Sequence, residues 1–577
     1  MLSQGVAMQA AASAREWIEH DPDAGDRAEL RSLVDRAESG DRRAADELDD
    51  RMSGMLRFGT AGLRGAIGAG PNRMNTAVVI RATAGLCEVL RRTVGDDIHV
   101  VIGHDARHRS WEFARTVAGV VVAAGGRAFL LPHATPTPVL AFAINDLDTD
   151  AGVMITASHN PARDNGYKVY LGGRMVTGPG RGAQLVSPLD EQIMAAIEAS
   201  GPADGIPVTA GGWQMLDESV EDSYLSAALA LNTRLATLSK ASEQVDGLRV
   251  VLTAMHGVGA ELASRVLGAI GVADLQLVAA QREPDPDFPT VAFPNPEEPG
   301  ALDLAITLAR QISADLVVAL DPDADRCSLA VPDGSVDGGW RQLTGDQVGA
   351  LLGEYLGACY AGDKHRVLAR SIVSSSLLDA IAAEHRLGSA QTLTGFKWIA
   401  RTPGLVYGYE EALGYCVNPQ AVRDKDGITA ALVGCRLAAS LKQAGRSMLD
   451  LLDDLAVRHG LHATAPLTFR VDEAEQITAA LRRLAAAPPS SLGGSRVREF
   501  VNLMDGYLGL PPTPGYRLET ERGDRVVVRP SGTEPKLKCY LEVVEEVAGR
   551  EQLANAKAAA AARLTQIKQE LTACLGL

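Results

Sequence analysis

Apolar positions along this chain gather into short unbroken runs separated by longer stretches of helical spacing. "IHVVIGHD" (98–105), "RAFLLP" (127–132) and "AGVMITAS" (151–158) are three such runs. They lack polar alternation, which predicts strands covered on both faces and linked by helices, hence an α/β fold with a largely parallel sheet. After the polar stretch "ATLSKASEQVDG" (236–247) the pattern restarts with "LRVVLTAM", and "ADLVVALD" (314–321) is the clearest strand of this second unit. "GDKH" (362–365) opens a third unit holding "VLARSIV" and "LVYGYE". A fourth begins at "HGLHATAPLTFRV", carries the strand "RVVVRP" (525–530) and ends in an Ala-rich helical edge at 550–570. Residues 8–52, rich in Ala, Glu, Asp and Arg, predict two or three helices on the rim of the first unit. The expected domains are 1–240, 241–362, 363–460 and 461–577.

A length of 577 residues exceeds what one core serves, in keeping with several domains. Hydrophobic residues at 46% and charged residues at 22% are an ordinary globular balance. The net charge of −16 argues against nucleic acid or anionic membrane as partner, although a local basic pocket for a small anion is compatible with it. The seven cysteines (87, 327, 359, 416, 435, 539, 574) have no CxxC spacing and read as reduced core thiols. The N-terminal stretch has neither a basic lead nor an apolar core, and no run reaches the length of a membrane span. A cytoplasmic protein is expected.

Chemistry concentrates where strands end. Ser158 follows a buried strand and is flanked by His159 and Asn160-Pro161; the GxSxG frame of a hydrolase is absent. "ALDPDADR" places Asp321, Asp323 and Asp325 at alternate positions, so an extended backbone would point three carboxylates one way. Their repulsion calls for a hard divalent cation, Mg²⁺ or Ca²⁺. The loop is no EF-hand, because Arg326 stands at the sixth position and Pro332 at the twelfth. "RPSGTEPK" offers Arg529, Ser531, Gly532, Thr533 and Lys536 to a phosphate, through a guanidinium fork, hydroxyls and close backbone approach. "GYEEALGY" offers Glu410 and Glu411 to sugar hydroxyls. Lys397 in "TGFKWI", Arg64 in "RFGTAGLRG", and Arg107 and Arg109 in "GHDARHRS" are further cations, each more often structural when taken singly. "TAMHGVG" imitates a dinucleotide turn without its third glycine and reads as a strand-to-helix turn. Together the motifs meet the needs of phosphoryl transfer to a sugar, with sites at the carboxyl ends of strands.

In this combination and order, "TASHNP", "DPDADR", "GYEEALG" and "RPSGTEPK" resemble the four signature loops of the α-D-phosphohexomutase superfamily, the phosphoglucomutases and phosphomannomutases. The resemblance spans about residues 50–545, and "RFGTAGLRG", "TAMHGVG" and "GYEEALGY" are similar to the phosphoglucomutase-2-like branch. It implies a four-domain architecture, three mixed α/β domains and a smaller C-terminal α+β domain around a central cleft. It further implies that Ser158 is carried as phosphoserine and that Asp321, Asp323 and Asp325 bind Mg²⁺ together with a phosphoserine oxygen. Glu410 would contact the sugar, and Arg529, Ser531, Gly532 and Thr533 would hold the phosphate that does not react. Arg64, His159, Lys168 and Lys397 stand in matching motifs as alternatives for proton transfer. Many members carry serine where Ala412 stands, which takes away one sugar hydrogen bond.

The leading expectation is an isomerase that interconverts hexose 1-phosphate and hexose 6-phosphate, of glucose or mannose, through a 1,6-bisphosphate that also serves as activator. Its nearest rivals are a phosphopentomutase or a hexose-1,6-bisphosphate synthase of the same branch. A metal-dependent sugar phosphatase would not need loops for both ends of the substrate, and a non-catalytic phosphosugar regulator would not need Ser158 with all three aspartates. The expected partner is the phosphosugar alone, with the chain a monomer or homodimer.

Overall fold

The computed structural model describes residues 2–59, 62–471, 474–531 and 536–577. Contacts divide the chain into two compact units: Met1–Arg234 with Asp246–Cys327 and Asn418–Leu432, and Leu235–Val245 with Ser328–Val417 and Val433–Leu577.

The first unit opens with the helices Leu2–His20, Ala24–Glu38 and Arg42–Arg51, the larger number expected for this stretch. Asp23 and Asp41 cap the second and third, each side chain accepting from two first-turn amides that lack intrahelical partners. Leu30, Leu33, Val34 and Leu48 are buried together, and Trp17 packs against Ala77 and Ile80 of the helix Thr76–Val94. A sheet follows in the order Leu63–Ala66, Asp164–Leu171, Ala151–Ile155, His99–His104, Arg127–Leu130, Gln214–Met215. Its centre is parallel, while Asp164–Leu171 and Leu63–Ala66 run antiparallel at one side. Every residue of Ala151–Ile155 is buried, as an unbroken apolar run predicts. Register sets Lys168 opposite Met154 and Gly166 opposite Arg64; a slip of one residue would turn Lys168 to the other face. Further along, Arg249–Thr253 lies parallel between Asp274–Leu277 and Leu316–Leu320.

In the second unit Gly388–Thr392, Val367–Ser371 and Leu405–Glu410 pair in parallel, and Gly414–Cys416 returns antiparallel. The helix Gly345–Cys359 starts at a reciprocal cap between Thr344 and Gln347. It precedes the boundary expected at 362, yet Tyr415 and Tyr407 hydroxyls donate to its Gly345 and Gly349 carbonyls at 3.3 and 2.9 Å. Gly349 permits that approach, since a Cβ there would lie 2.4 Å from the Tyr409 ring. An antiparallel sheet follows in the order Leu461–Arg470, Lys536–Glu545, Arg525–Pro530, Tyr516–Thr520, Ser495–Asn502, Ser491–Leu492. Leu484 of Ala474–Ala486 and Leu564, Ile567 and Leu571 of Leu553–Leu575 are buried against it, so the C-terminal helix is core as well as edge. Glu542 knots this sheet to the preceding one. It pairs with Arg525 at 2.8 Å and accepts from Ser375 Oγ at 2.7 Å and the Ser376 amide at 2.8 Å. Burial alone would raise its carboxyl, but Arg525, His462 and Arg370 hold it far below the usual range.

Six of the seven cysteines are buried, and all are free thiols. Among the described residues no helix is long and apolar enough to cross a membrane.

Candidate active site

Ser158 leaves the strand Ala151–Ile155 in a tight turn, buried and in the left-handed region at φ 54°. A non-glycine residue keeps that conformation only when its surroundings over-determine it. Here the Ser158 amide donates to Thr156 Oγ1 at 2.8 Å, and one guanidinium holds the rest. Arg107 donates to the carbonyls of Ser158, Asn160, Pro161 and Asp164 at 2.5, 2.6, 2.7 and 3.0 Å. Ser158 Oγ donates to Asp321 Oδ2 at 2.8 Å and lies 3.2 Å from His159 Nδ1. The turn is rigid and its hydroxyl is aimed.

The three aspartates converge, but not by strand alternation. Their strand ends at Leu320, and residues 321–326 form a turn with Ala324 at φ 55°. All three are buried, with carboxylate oxygens within 4.8 Å of one another. Thr137 Oγ1 donates to Asp323 Oδ2 at 2.6 Å, and Lys168 Nζ reaches Asp323 Oδ2 at 2.7 Å and Asp325 Oδ2 at 3.0 Å. Lys425 Nζ adds a second contact to Asp325 Oδ2 at 3.0 Å. Burial, with Asp323 and Asp325 alongside, raises the Asp321 carboxyl well above the ordinary range. Burial also works against ionised Asp325, but Lys168, Lys425 and Arg326 overcome it and keep the group far below its ordinary value. Asp323 is likewise lowered, burial and Asp325 being outweighed by Lys168 and Thr137. Asp323 Oδ1 and Asp325 Oδ1 are nevertheless buried without a hydrogen-bond partner. Such oxygens are costly unless something positive meets them. Hard oxygens that close together fit a divalent cation.

The proton-transfer alternatives now separate. Lys168, fully buried, is committed to two aspartates. Burial, then Arg326 and Arg64, push the His159 imidazole well below 6.5, so it is neutral at physiological pH. Arg64 sits on Leu63–Ala66 with Asp323 and Asp325 in its field, its buried Nε without a hydrogen-bond partner. Lys397 belongs to the other unit, on the short helix Phe396–Ile399, where its carbonyl accepts from Arg401 at 2.7 Å.

That second unit carries the remaining candidates. Glu410 ends its strand and accepts the Gly395 amide at 2.7 Å, so the sugar-loop candidate and the "TGFKWI" loop are joined. Glu411 accepts from Ser374 Oγ at 2.9 Å and Ser371 Oγ at 3.3 Å; burial beside Glu410 and Asp346 pushes its carboxyl up to about 7. Arg529 donates to Thr394 Oγ1, which brings the phosphate-loop candidate to the same "TGFKWI" loop. The Ser531 amide donates to the Lys536 carbonyl at 2.8 Å, closing the base of that loop. Gly532 and Thr533 lie outside the described residues.

Four consecutive matches to known domain models cover most of the chain. They are the α/β/α domains I, II and III and the C-terminal domain of phosphoglucomutase/phosphomannomutase, at residues 55–201, 222–334, 344–458 and 467–559. The chain belongs to this family, within the α-D-phosphohexomutase superfamily. A probable phosphomannomutase of Haemophilus influenzae is 43% identical over 471 residues, 81% of this chain and 93% of that one. A probable phosphoribomutase of Schizosaccharomyces pombe is 35% identical over 564 residues, 91% and 92% of the two chains. The crystal structure of a phosphoglucomutase/phosphomannomutase family protein from Burkholderia thailandensis shares the fold. Its TM-score is 0.66 at 20% identity, with 90% of this chain and 97% of that one covered. The protein is therefore a phosphosugar mutase, an isomerase, in four domains of mixed sheets and helices.

Around the aspartates stand residues beyond the signature loops. Thr137 and Lys425 both reach the aspartates, and neither stands out in sequence; Lys425 lies between two acids in "RDKDG". The "TAMHGVG" turn is the strand-to-helix turn expected, and it packs on the aspartate loop. The Val258 amide donates to the Pro322 carbonyl at 2.9 Å, and a Cβ on Gly257 would fall 2.3 Å from Pro322 Cα. Glycine at position 257 is thus a packing requirement. Arg107, more often structural when taken singly, grips the serine turn and so acts on the site through it.

Proposed function

We propose that the protein interconverts hexose 1-phosphate and hexose 6-phosphate by way of phosphoserine at Ser158 and a hexose 1,6-bisphosphate. The observation that carries this reading is Ser158 Oγ, held 2.8 Å from Asp321 in a buried group of three aspartates. Asp321, Asp323 and Asp325 would hold Mg²⁺, which supplies charge neutralisation for the transferring phosphoryl group. In each half-reaction the phosphorus–oxygen bond to one oxygen breaks as that to the other forms. When the sugar is phosphorylated, one proton leaves its attacking hydroxyl and one reaches Ser158 Oγ. When the serine is rephosphorylated, Ser158 Oγ gives up its proton and the departing sugar oxygen takes one. His159 is the group placed to exchange a proton with Ser158 Oγ, being neutral and 3.2 Å away. Lys168 balances the aspartates, Arg64 adds positive charge beside them, and Arg107 keeps the turn. Glu410, with Glu411 beside it in sequence, is assigned to sugar hydroxyls, and Arg529, Ser531, Gly532, Thr533 and Lys536 to the distal phosphate. Bisphosphate acts as activator because it rephosphorylates Ser158.

A second reading replaces the hexose by a pentose. Two observations favour it: Ala412 offers no hydroxyl, and a relative at 35% identity is named for ribose. Coupled assays on glucose 1-phosphate, mannose 1-phosphate and ribose 1-phosphate separate the two; the hexose reading fails if ribose 1-phosphate has the highest kcat/KM. We also place the boundary between the second and third domains near 335–344, because the helix Gly345–Cys359 packs on the third sheet. A cytoplasmic location, with no macromolecular partner required, completes the reading.

A further inference from the structure

Residues 1–54 lie ahead of the first matched domain, yet their helices reach the loop that holds the phosphoacceptor turn. That loop, 105–110, works at two ends. At one end Asp105 Oδ1 accepts the Arg107 amide at 3.0 Å and Ser110 Oγ at 2.7 Å, setting Arg107 for its four carbonyls around Ser158. Asn165 Nδ2 bridges the loop and the strand after the serine turn, donating to the His108 carbonyl and Ser110 Oγ, both at 2.9 Å.

At the other end stands Arg109, left-handed at φ 62° and without a side-chain cap on the helix Ser110–Ala123 it precedes. A non-glycine residue keeps that conformation only where its surroundings hold it. Its guanidinium donates to Asp26 Oδ1 at 2.8 Å and Oδ2 at 3.1 Å, to Asp23 Oδ2 at 3.0 Å, to Thr76 Oγ1 at 2.9 Å and to Glu112 Oε1 at 2.6 Å. Two of these acids come from the N-terminal extension, and Asp26 is itself buried. Asp23 meanwhile caps the helix Ala24–Glu38 through its other oxygen, so helix and arginine are fixed by one side chain. Planar, forked guanidinium contacts of this kind fix direction as well as charge.

We propose that Asp23 and Asp26 are positioning residues for phosphoryl transfer: through Arg109 they set the loop from which Arg107 holds the Ser158 turn. The extension is thus part of the catalytic frame rather than an appended rim. This rests on Ser158 being the phosphoryl carrier.

The experiment compares full-length wild type with Asp26→Asn, Asp23→Asn and the double variant. Asp26→Glu serves as the conservative rescue, and Asp41→Ala removes the cap of the next helix in the same extension without touching Arg109. Steady-state kcat and KM are measured, together with the fraction of chains whose Ser158 accepts label from radiolabelled bisphosphate. The double variant is expected to lose at least about tenfold in kcat per labelled site with KM within about twofold. Asp26→Glu should recover part of the loss, and Asp41→Ala should keep kcat while lowering the melting temperature. Unchanged kcat per labelled site in the double variant overturns the proposal, as does an equal kcat loss in Asp41→Ala. Absence of label in wild type would instead overturn the phosphoserine reading, so the two failures are told apart.

Discussion

The serine–aspartate region and the region around Arg529 and Glu410 are built to opposite standards. In the first, Ser158, Lys168 and the three aspartates are almost wholly buried, and each is held by several charged or hydrogen-bonded neighbours. In the second, the Arg529 guanidinium donates to Thr394 and Glu410 accepts from the Gly395 amide, and both residues keep partial exposure. The difference follows from the work assigned to each. Making and breaking a phosphorus–oxygen bond rewards fixed, desolvated charges whose geometry is set before substrate arrives. Under the proposed function this second region takes the phosphate at either end of the sugar, and it gains from charge and a fork that ignore the ring.

The comparison is broken most severely at the serine. Ser158→Ala should lower kcat by at least about 10⁴-fold, the scale on which loss of a covalent nucleophile is felt, with little change in melting temperature. A coupled assay with both monophosphates reads it. Next comes Lys168→Met, which leaves Asp323 and Asp325 facing each other with less positive charge. Removing one partner of a buried ion pair costs about 3–5 kcal/mol, so unfolding in chelator should be markedly easier than for wild type. Added Mg²⁺ should restore more stability to this variant than to wild type; equal responses would remove the cation from the account. Arg529→Ala tests the other region. It should lower kcat/KM by roughly 10- to 150-fold and by similar factors in both directions. A one-sided loss would mean that the loop recognises one end of the sugar only.

The smallest effect sharpens the contrast by pH. The Glu411 carboxyl, raised from 4.5 to about 7, binds its proton more tightly folded than unfolded. Its stabilising contribution is complete below the unfolded value and is lost as pH rises through about 7. Glu411→Gln, which imitates the protonated acid, should flatten that part of the stability curve by about 3 kcal/mol at most. Urea midpoints between pH 5 and 8 for the two proteins measure it, and parallel curves would contradict it.

How much of this was legible beforehand depended on distance along the chain. Ser158, the aspartates and the candidate sugar and phosphate loops announce themselves because each is a short motif at the end of an apolar run. The continuous burial of Ala151–Ile155 follows from the same pattern. The reason for the aspartates' convergence was not legible: it is a left-handed residue, Ala324, within a turn rather than extended alternation. Nor were Thr137, Lys425 or the Asp26–Arg109 link, since each joins residues far apart in sequence through side chains with no local pattern. The helix Gly345–Cys359 lies ahead of the boundary expected at 362 yet accepts from Tyr407 and Tyr415, a link its apolar face alone does not announce.

The central claim is that Ser158 carries the phosphoryl group, and intact mass combined with phosphopeptide mapping tests it most directly. Enzyme treated with hexose 1,6-bisphosphate should gain one phosphate, on Ser158, and lose it when excess hexose monophosphate is added in the presence of Mg²⁺. A phosphate that maps elsewhere, or a Ser158→Ala variant that turns over at the wild-type rate without one, would contradict the account.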